Sequence, residues 1–102
     1  MKAKELYKIL SSAKIPCAYM VHTEKVSPPF LIYRGSGANN FKSDDEVYYT
    51  DYSYTIEYYF KEKDEEKEEA IEKVLNQNKI IWEKSEDIYI DSEKLFLIYY
   101  TI

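Results

Sequence analysis

Few residues in this chain have side chains suited to catalysis or to holding a metal. His22 is the only histidine, with Glu24 two positions on. A metal centre needs three or four convergent donors, and an acid–base pair needs an oriented partner; one imidazole on an alternating His-Thr-Glu segment supplies neither. The expectation is a surface histidine. Cys17 is the only cysteine, so no intrachain disulfide can form. With no basic neighbour to favour the thiolate, it reads as a buried, inert thiol. Gly35-Ser36-Gly37 has the glycines of a phosphate-binding loop but not the lysine and following helix that such loops use, so it reads as a flexible turn. The run EKDEEKEEAIEK at 62–73 has lysines between its acids and Glu69 four residues before Lys73, which is the spacing of a solvated helix face. No catalytic group, metal ligand or cofactor site is expected, and the chain reads as a non-enzyme with no cofactor.

The main organising element is the stretch 47–61, VYYTDYSYTIEYYFK. Its even positions are Tyr48, Thr50, Tyr52, Tyr54, Ile56, Tyr58 and Phe60, while its odd positions are mostly polar. Period-two alternation is the pattern of a strand with one aromatic face and one wetter face. Fully extended, such a strand is on the order of 45 to 50 Å long, beyond the reach of a small core. Its first half should project as an arm or bend at a bulge, with tyrosines that something outside the monomer covers.

Around it, residues 2–13 place Ala3, Leu6, Ile9, Leu10 and Ala13 at helical spacing, and Ile15-Pro16 ends that helix. A strand is expected over 17–23. Ser27-Pro28-Pro29 delays the next strand to 30–33, FLIY, which is apolar on both faces. Residues 34–45, RGSGANNFKSDD, hold both glycines and read as a long loop, mobile in the isolated protein and ordered on assembly. Asp64 is a good N-cap for a second helix with the narrow stripe Ala70, Ile71, Val74 and Leu75, stopped by Asn78. Short strands at 80–83 and 88–90 lead to LFLIYYTI at 95–102, a central strand. The expected fold class is α+β: a single mostly antiparallel sheet with two helices packed on one face, in the order α-β-β-β-α-β-β, as one domain over 1–102. Two short helices cover one face only, so the second apolar face is expected to meet a partner subunit, the alternative being strong sheet curvature that closes that face on itself.

The chain has 102 residues, 12 of them tyrosine against 4 phenylalanines, and a net charge of −5. Rings with a polar tip suit half-buried sheets and interfaces. No basic footprint for nucleic acid is present, and no apolar run reaches the ~18 to 20 residues of a membrane span. The N-terminal segment lacks the apolar core of a signal peptide, and the protein is expected to be soluble and not exported.

The sequence order also resembles a known family. A helix ending near IPCAY is followed by SPPFLIY, then NNF and an acidic pair before VYY, then YTIEYYFKEKDEEKEEAIEKVL, IIWEK and YIDSEKLFLIYY. This order is similar to that of the small head-to-tail joining or tail terminator (tail completion) proteins of siphophages and prophages of Gram-positive bacteria, over nearly the whole chain. The resemblance implies a virion structural protein, made in the bacterial host cytoplasm and forming a ring, often six-fold, at the head-proximal end of the tail. Its partners would be itself, the tail tube and the head connector, with no sequence-specific nucleic acid and no membrane. The reach of the long strand puts the expected subunit interface at Tyr48, Tyr49, Tyr52 and Tyr54. The expected docking loop contains Arg34, Asn39, Asn40, Phe41 and Lys42. The rival reading is a small acidic phage-encoded protein that binds and inhibits a host protein.

Overall fold

A computed structural model of the chain describes residues 1–43 and 46–102, with side chains described outside 39–51. Its elements are α1 (Ala3–Ser11), β1 (Cys17–Tyr19), β2 (Phe30–Ser43), β3 (Glu46–Phe60), α2 (Glu65–Gln77), β4 (Glu83–Lys84), β5 (Ile88–Ile90) and β6 (Leu95–Thr101). They form one six-stranded sheet in the order β1-β2-β3-β6-β4, with β5 also on β6. The fold is α+β and mostly antiparallel, with only the β1–β2 pair parallel. The expected order of elements is present, and the last part of the sheet is divided into the short β4 and β5 before β6.

Alternation along β3 decides which face is core. Tyr54, Ile56, Tyr58 and Phe60 are buried together with Leu6 and Leu10 of α1, Ile71 and Leu75 of α2, and Leu31, Tyr33, Ile98 and Tyr100 of the flanking strands. This is the face expected to lie under the helices. The rings of Tyr58, Phe60 and Phe96 stack in succession, at centroid distances of 5.2 and 5.4 Å.

Local chemistry sets the helix ends. After α1, Lys14 takes a left-handed conformation (φ 61°) and its N–H donates to Ser11 O, which ends the helix ahead of the Ile15-Pro16 pair. At the start of α2 the Asp64 carboxylate accepts from the Glu66 N–H at 3.1 Å. At its end Lys79 is left-handed (φ 57°), and the Ile80 and Lys79 N–H groups donate to Leu75 O and Asn76 O. That is a Schellman closure with lysine where glycine is usual.

Three expectations about the strands are corrected: the strand expected at 80–83 is displaced to Glu83–Lys84, and two others change in length. Residues 34–45 are not a loop through their length, because β2 continues to Ser43 and pairs with β3 from Phe30↔Tyr59 to Ser43↔Glu46. Arg34, Asn39, Asn40, Phe41 and Lys42 therefore belong to a strand. Polar and glycine residues are carried there because the paired backbone of β3 satisfies their N–H and C=O groups. Asp44 and Asp45 of the expected loop lie outside the described residues. The strand expected at 17–23 stops at Tyr19, where Met20 turns left-handed (φ 65°).

Candidate functional site

The longest pairing in the molecule runs past its own support. β6 accompanies β3 from Phe60 to Thr55, and one further rung joins Tyr54 and Ile102, N–H to O at 3.0 and 3.3 Å. On the other side β1 accompanies β2 only over Leu31, Ile32 and Tyr33, with Met20 N–H donating to Tyr33 O at 2.9 Å. Beyond these rungs residues 35–43 and 46–53 have only each other among the described residues. They make a two-stranded arm of roughly 30 Å at the usual strand rise, on a molecule measuring 51 × 29 × 27 Å.

The arm has a built irregularity at its root. The register steps from Gly35↔Tyr54 to Gly37↔Ser53, leaving Ser36 without a partner. Gly37 has φ +122°, a region that only glycine enters without strain, so its identity is tied to this bulge. A second step, from Phe41↔Tyr49 to Lys42↔Val47, passes over Tyr48. The arm thus both projects and carries bulges.

Aromatic rings surround the root. Tyr54 is 6% exposed and its hydroxyl donates to Met1 O at 3.2 Å; the Tyr33 ring sits 5.3 Å edge-on from Tyr19 and 6.4 Å from Tyr7. Burial pushes the hydroxyl pKa values of both Tyr33 and Tyr54 up, and neighbouring phenols add to the effect. Outward from this pair Tyr7, Tyr19, Met20 and Tyr52 are exposed, Tyr52 at 53%. The four expected interface tyrosines therefore separate. Tyr52 is a surface ring, and Tyr54, expected both at the interface and on the face under the helices, is a core residue that packs under α1. Tyr48 and Tyr49 sit on the arm with side chains outside the description. Tyr7 and Tyr19 were not anticipated, although Tyr7 follows Leu6 on the otherwise polar side of α1, where a lone aromatic is a signal.

The sheet face away from the helices is partly open. Phe30, Ile32, Tyr59, Leu95 and Tyr99 are half-buried there, while Thr55 and Leu97 are buried. Across its middle Arg34 Nε donates to Glu57 Oε2 at 2.8 Å, and the Tyr59 hydroxyl to Glu57 Oε1 at 2.6 Å. Arg34 is thus engaged within its own sheet. Burial and the Glu57 carboxylate together push the Tyr59 hydroxyl pKa strongly up. Phe30 stacks on Tyr59 at 5.0 Å, and His22 lies edge-on to Phe30 at 5.2 Å. His22 Nε2 donates to Leu31 O at 3.0 Å, so the only histidine is a half-buried structural group rather than a surface one.

The acidic helix holds a buried carboxylate that its sequence hid. Glu68 is 2% exposed, with Lys63 Nζ 2.7 Å from one oxygen and Lys84 Nζ 2.8 Å from the other. Lys84 also reaches Glu72 at 2.7 Å, and Glu72 accepts from the Tyr100 hydroxyl at 2.6 Å. Glu68 is in helical phase with Ile71 and Leu75, which is the signal that places it on the inner stripe. The network fastens α2 to β4 and β6. Cys17 is half-buried with Sγ 3.7 Å from Ser11 Oγ, and burial pushes the thiol pKa up, the opposite of nucleophile activation. Among the described residues no group of three or more histidine, cysteine or acidic side chains is placed to hold a metal ion, and no helix is long and apolar enough to cross a membrane.

No protein-family model matches the chain, and no curated protein matches it.

Proposed function

We propose that the protein is a non-enzymatic structural subunit of a phage virion, a tail terminator or head–tail joining protein that assembles into a ring at the head-proximal end of the tail. One observation carries the reading: the β2–β3 pairing outruns every other strand and leaves a two-stranded arm. A two-stranded ribbon is marginal on its own, and its unpaired edges call for cover. A subunit related by rotation supplies that cover at every position of a closed ring. The exposed tyrosines at the root and the half-buried second face of the sheet add apolar surface, and the order of sequence segments resembles that of the tail terminator and joining proteins. Its partners are further copies of itself, the tail tube and the head connector, and its location is the virion.

The test is mass and shape in solution, by native mass spectrometry and electron microscopy, followed by complementation of a phage lacking the gene. The expected result is a ring, and a Tyr48→Glu/Tyr52→Glu double variant that folds but neither forms rings nor yields joined tails. A wild-type chain that stays monomeric and captures a single host protein would instead establish the inhibitor reading.

A further inference from the structure

The charge of this chain is sorted along the sequence, and the fold converts that sorting into two opposite flanks. Residues 1–34 carry six basic and two acidic side chains, whereas residues 35–102 carry eight basic and seventeen acidic. β1 lies at one end of the strand path and β4 at the other. α1 packs against β1 and presents exposed Lys4, Lys8 and Lys14. On the other flank α2 is tied to the β4 region by Glu72 to Lys84 and by Trp82 Nε1 donating to Asn76 Oδ1 at 2.8 Å. There Glu69, Glu83 and Glu86 are exposed.

Each flank also has an apolar centre, and both lie at the arm end of the sheet. On the basic flank these are Tyr7, Tyr19 and Met20, with the Tyr19 hydroxyl lying over Gly35. On the acidic flank Ile81 is 89% exposed. It stands two residues before Glu83, whose partner Thr101 pairs with Thr55 at the arm root. An isoleucine left almost wholly in water beside one sheet edge, and an aromatic cluster of similar height beside the other, match the usual interface plan of an apolar centre with a charged rim.

We infer that the basic α1–β1 flank of one copy docks on the acidic α2–β4 flank of the next copy, with Ile81 seated among Tyr7, Tyr19 and Met20. The occupant is a second copy because the two flanks complement each other in charge while each repels itself. Such a contact is heterologous: it uses a different surface on each partner, runs head to tail, and closes into a ring when the rotation permits. This deepens the assembly reading above, on which it rests, by adding to the arm a contact between two flanks beside its root and the direction in which they meet. Attraction between exposed charges is screened at high salt, so association should weaken as salt rises.

A charge exchange tests it on the full chain, by native mass spectrometry and sedimentation at low salt. One variant carries Lys4→Glu and Lys8→Glu; a second carries Glu69→Lys and Glu83→Lys; a third carries all four changes. None of these side chains belongs to the core or to the Glu68 network, and circular dichroism verifies that each variant is folded. The expected result is that the first and second variants are each monomeric at concentrations where the wild type is fully assembled. The third variant, and an equimolar mixture of the first two, regain the assembled mass, with both kinds of chain present in the mixed particles. Assembly of either single-flank variant as in wild type would overturn the inference and leave the ring reading standing. Loss of assembly that neither the third variant nor the mixture restores would also overturn it. A wild-type chain that is monomeric at every concentration and salt would remove the ring reading itself, and this inference with it.

Discussion

The hairpin of β2 and β3 is one ladder in two environments. From Phe30 to Arg34 against Thr55 to Tyr59 it has β1 on one edge, β6 on the other and two helices on one face. From residue 35 outward the same two strands have only each other among the described residues. Similar residues therefore do different jobs: Tyr58 is fully buried while Tyr52, six positions earlier on the same face, is 53% exposed. A strand's alternation states which face is apolar but does not state what will cover it. Cover comes from the length of neighbouring elements, and here these leave residues 35–43 of β2 and 46–53 of β3 beyond their ends.

The supported half is the more sensitive to truncation. Ile56→Ala removes a fully buried side chain on the sheet face under the helices and should cost roughly 2 to 5 kcal/mol of unfolding free energy. Tyr52→Ala in the arm should stay within about 0.5 kcal/mol in the unassembled chain. Equal shifts in urea midpoint for the two would mean that the halves do not differ as described.

The Glu68 network gives the next largest effect. Glu68→Ala leaves Lys63 and Lys84, both partly in water, without their shared buried partner, and should cost about 1 to 3 kcal/mol. Hydrogen exchange should locate the loss in α2 and β4 rather than in the arm. Uniform loosening of the whole chain would contradict the assignment of this network to one flank.

Alkali sharpens the contrast through the buried phenols. Burial, reinforced by the nearby Glu68 and Asp64 carboxylates, pushes Tyr58 up to about 12, against a value near 10 in an unfolded chain. Between those values the unfolded chain has released a proton that the folded chain keeps, so stability is unchanged below pH 10 and falls as pH rises toward 12. Tyr59 and Tyr100 shift in the same direction. Tyr58→Phe should reduce the steepness of the fall in urea midpoint over that range. At neutral pH it should cost little, because the Tyr58 hydroxyl is buried with no hydrogen-bond partner among the described residues. The smallest global effect is expected from Gly37→Ala, which puts a side chain at φ +122°. Faster amide exchange in the arm alone, with an unfolding midpoint near that of wild type, is the expected result.

What the sequence made legible follows from periodicity. The core face of β3 and the stripes of both helices are repeats within one element, and all are found where the pattern puts them. The second half of β2 was hidden because its residues, GSGANNFKS, carry turn and polar signals. They are strand only because β3 supplies hydrogen bonds from a distant part of the chain, with bulges absorbing the mismatch at Ser36 and Tyr48. Tyr54 shows the same limit in reverse. Alternation placed it on the apolar face, but its burial depends on α1 lying over the root, so reach along the strand alone could not assign it to core or to interface. Glu68 was hidden by its charge. Its helical phase pointed inward, but the two lysines that make burial tolerable come from the α2 approach and from β4.

The most direct test of the account is amide hydrogen exchange on the arm in free and assembled protein. Residues 35–43 and 46–53 should gain protection on assembly while 55–60 and 96–100, already protected in the monomer, show no change. Arm amides that exchange at the same rate in both states, with the gain appearing elsewhere, would contradict the claim that the unsupported half of the hairpin is where copies of this chain meet.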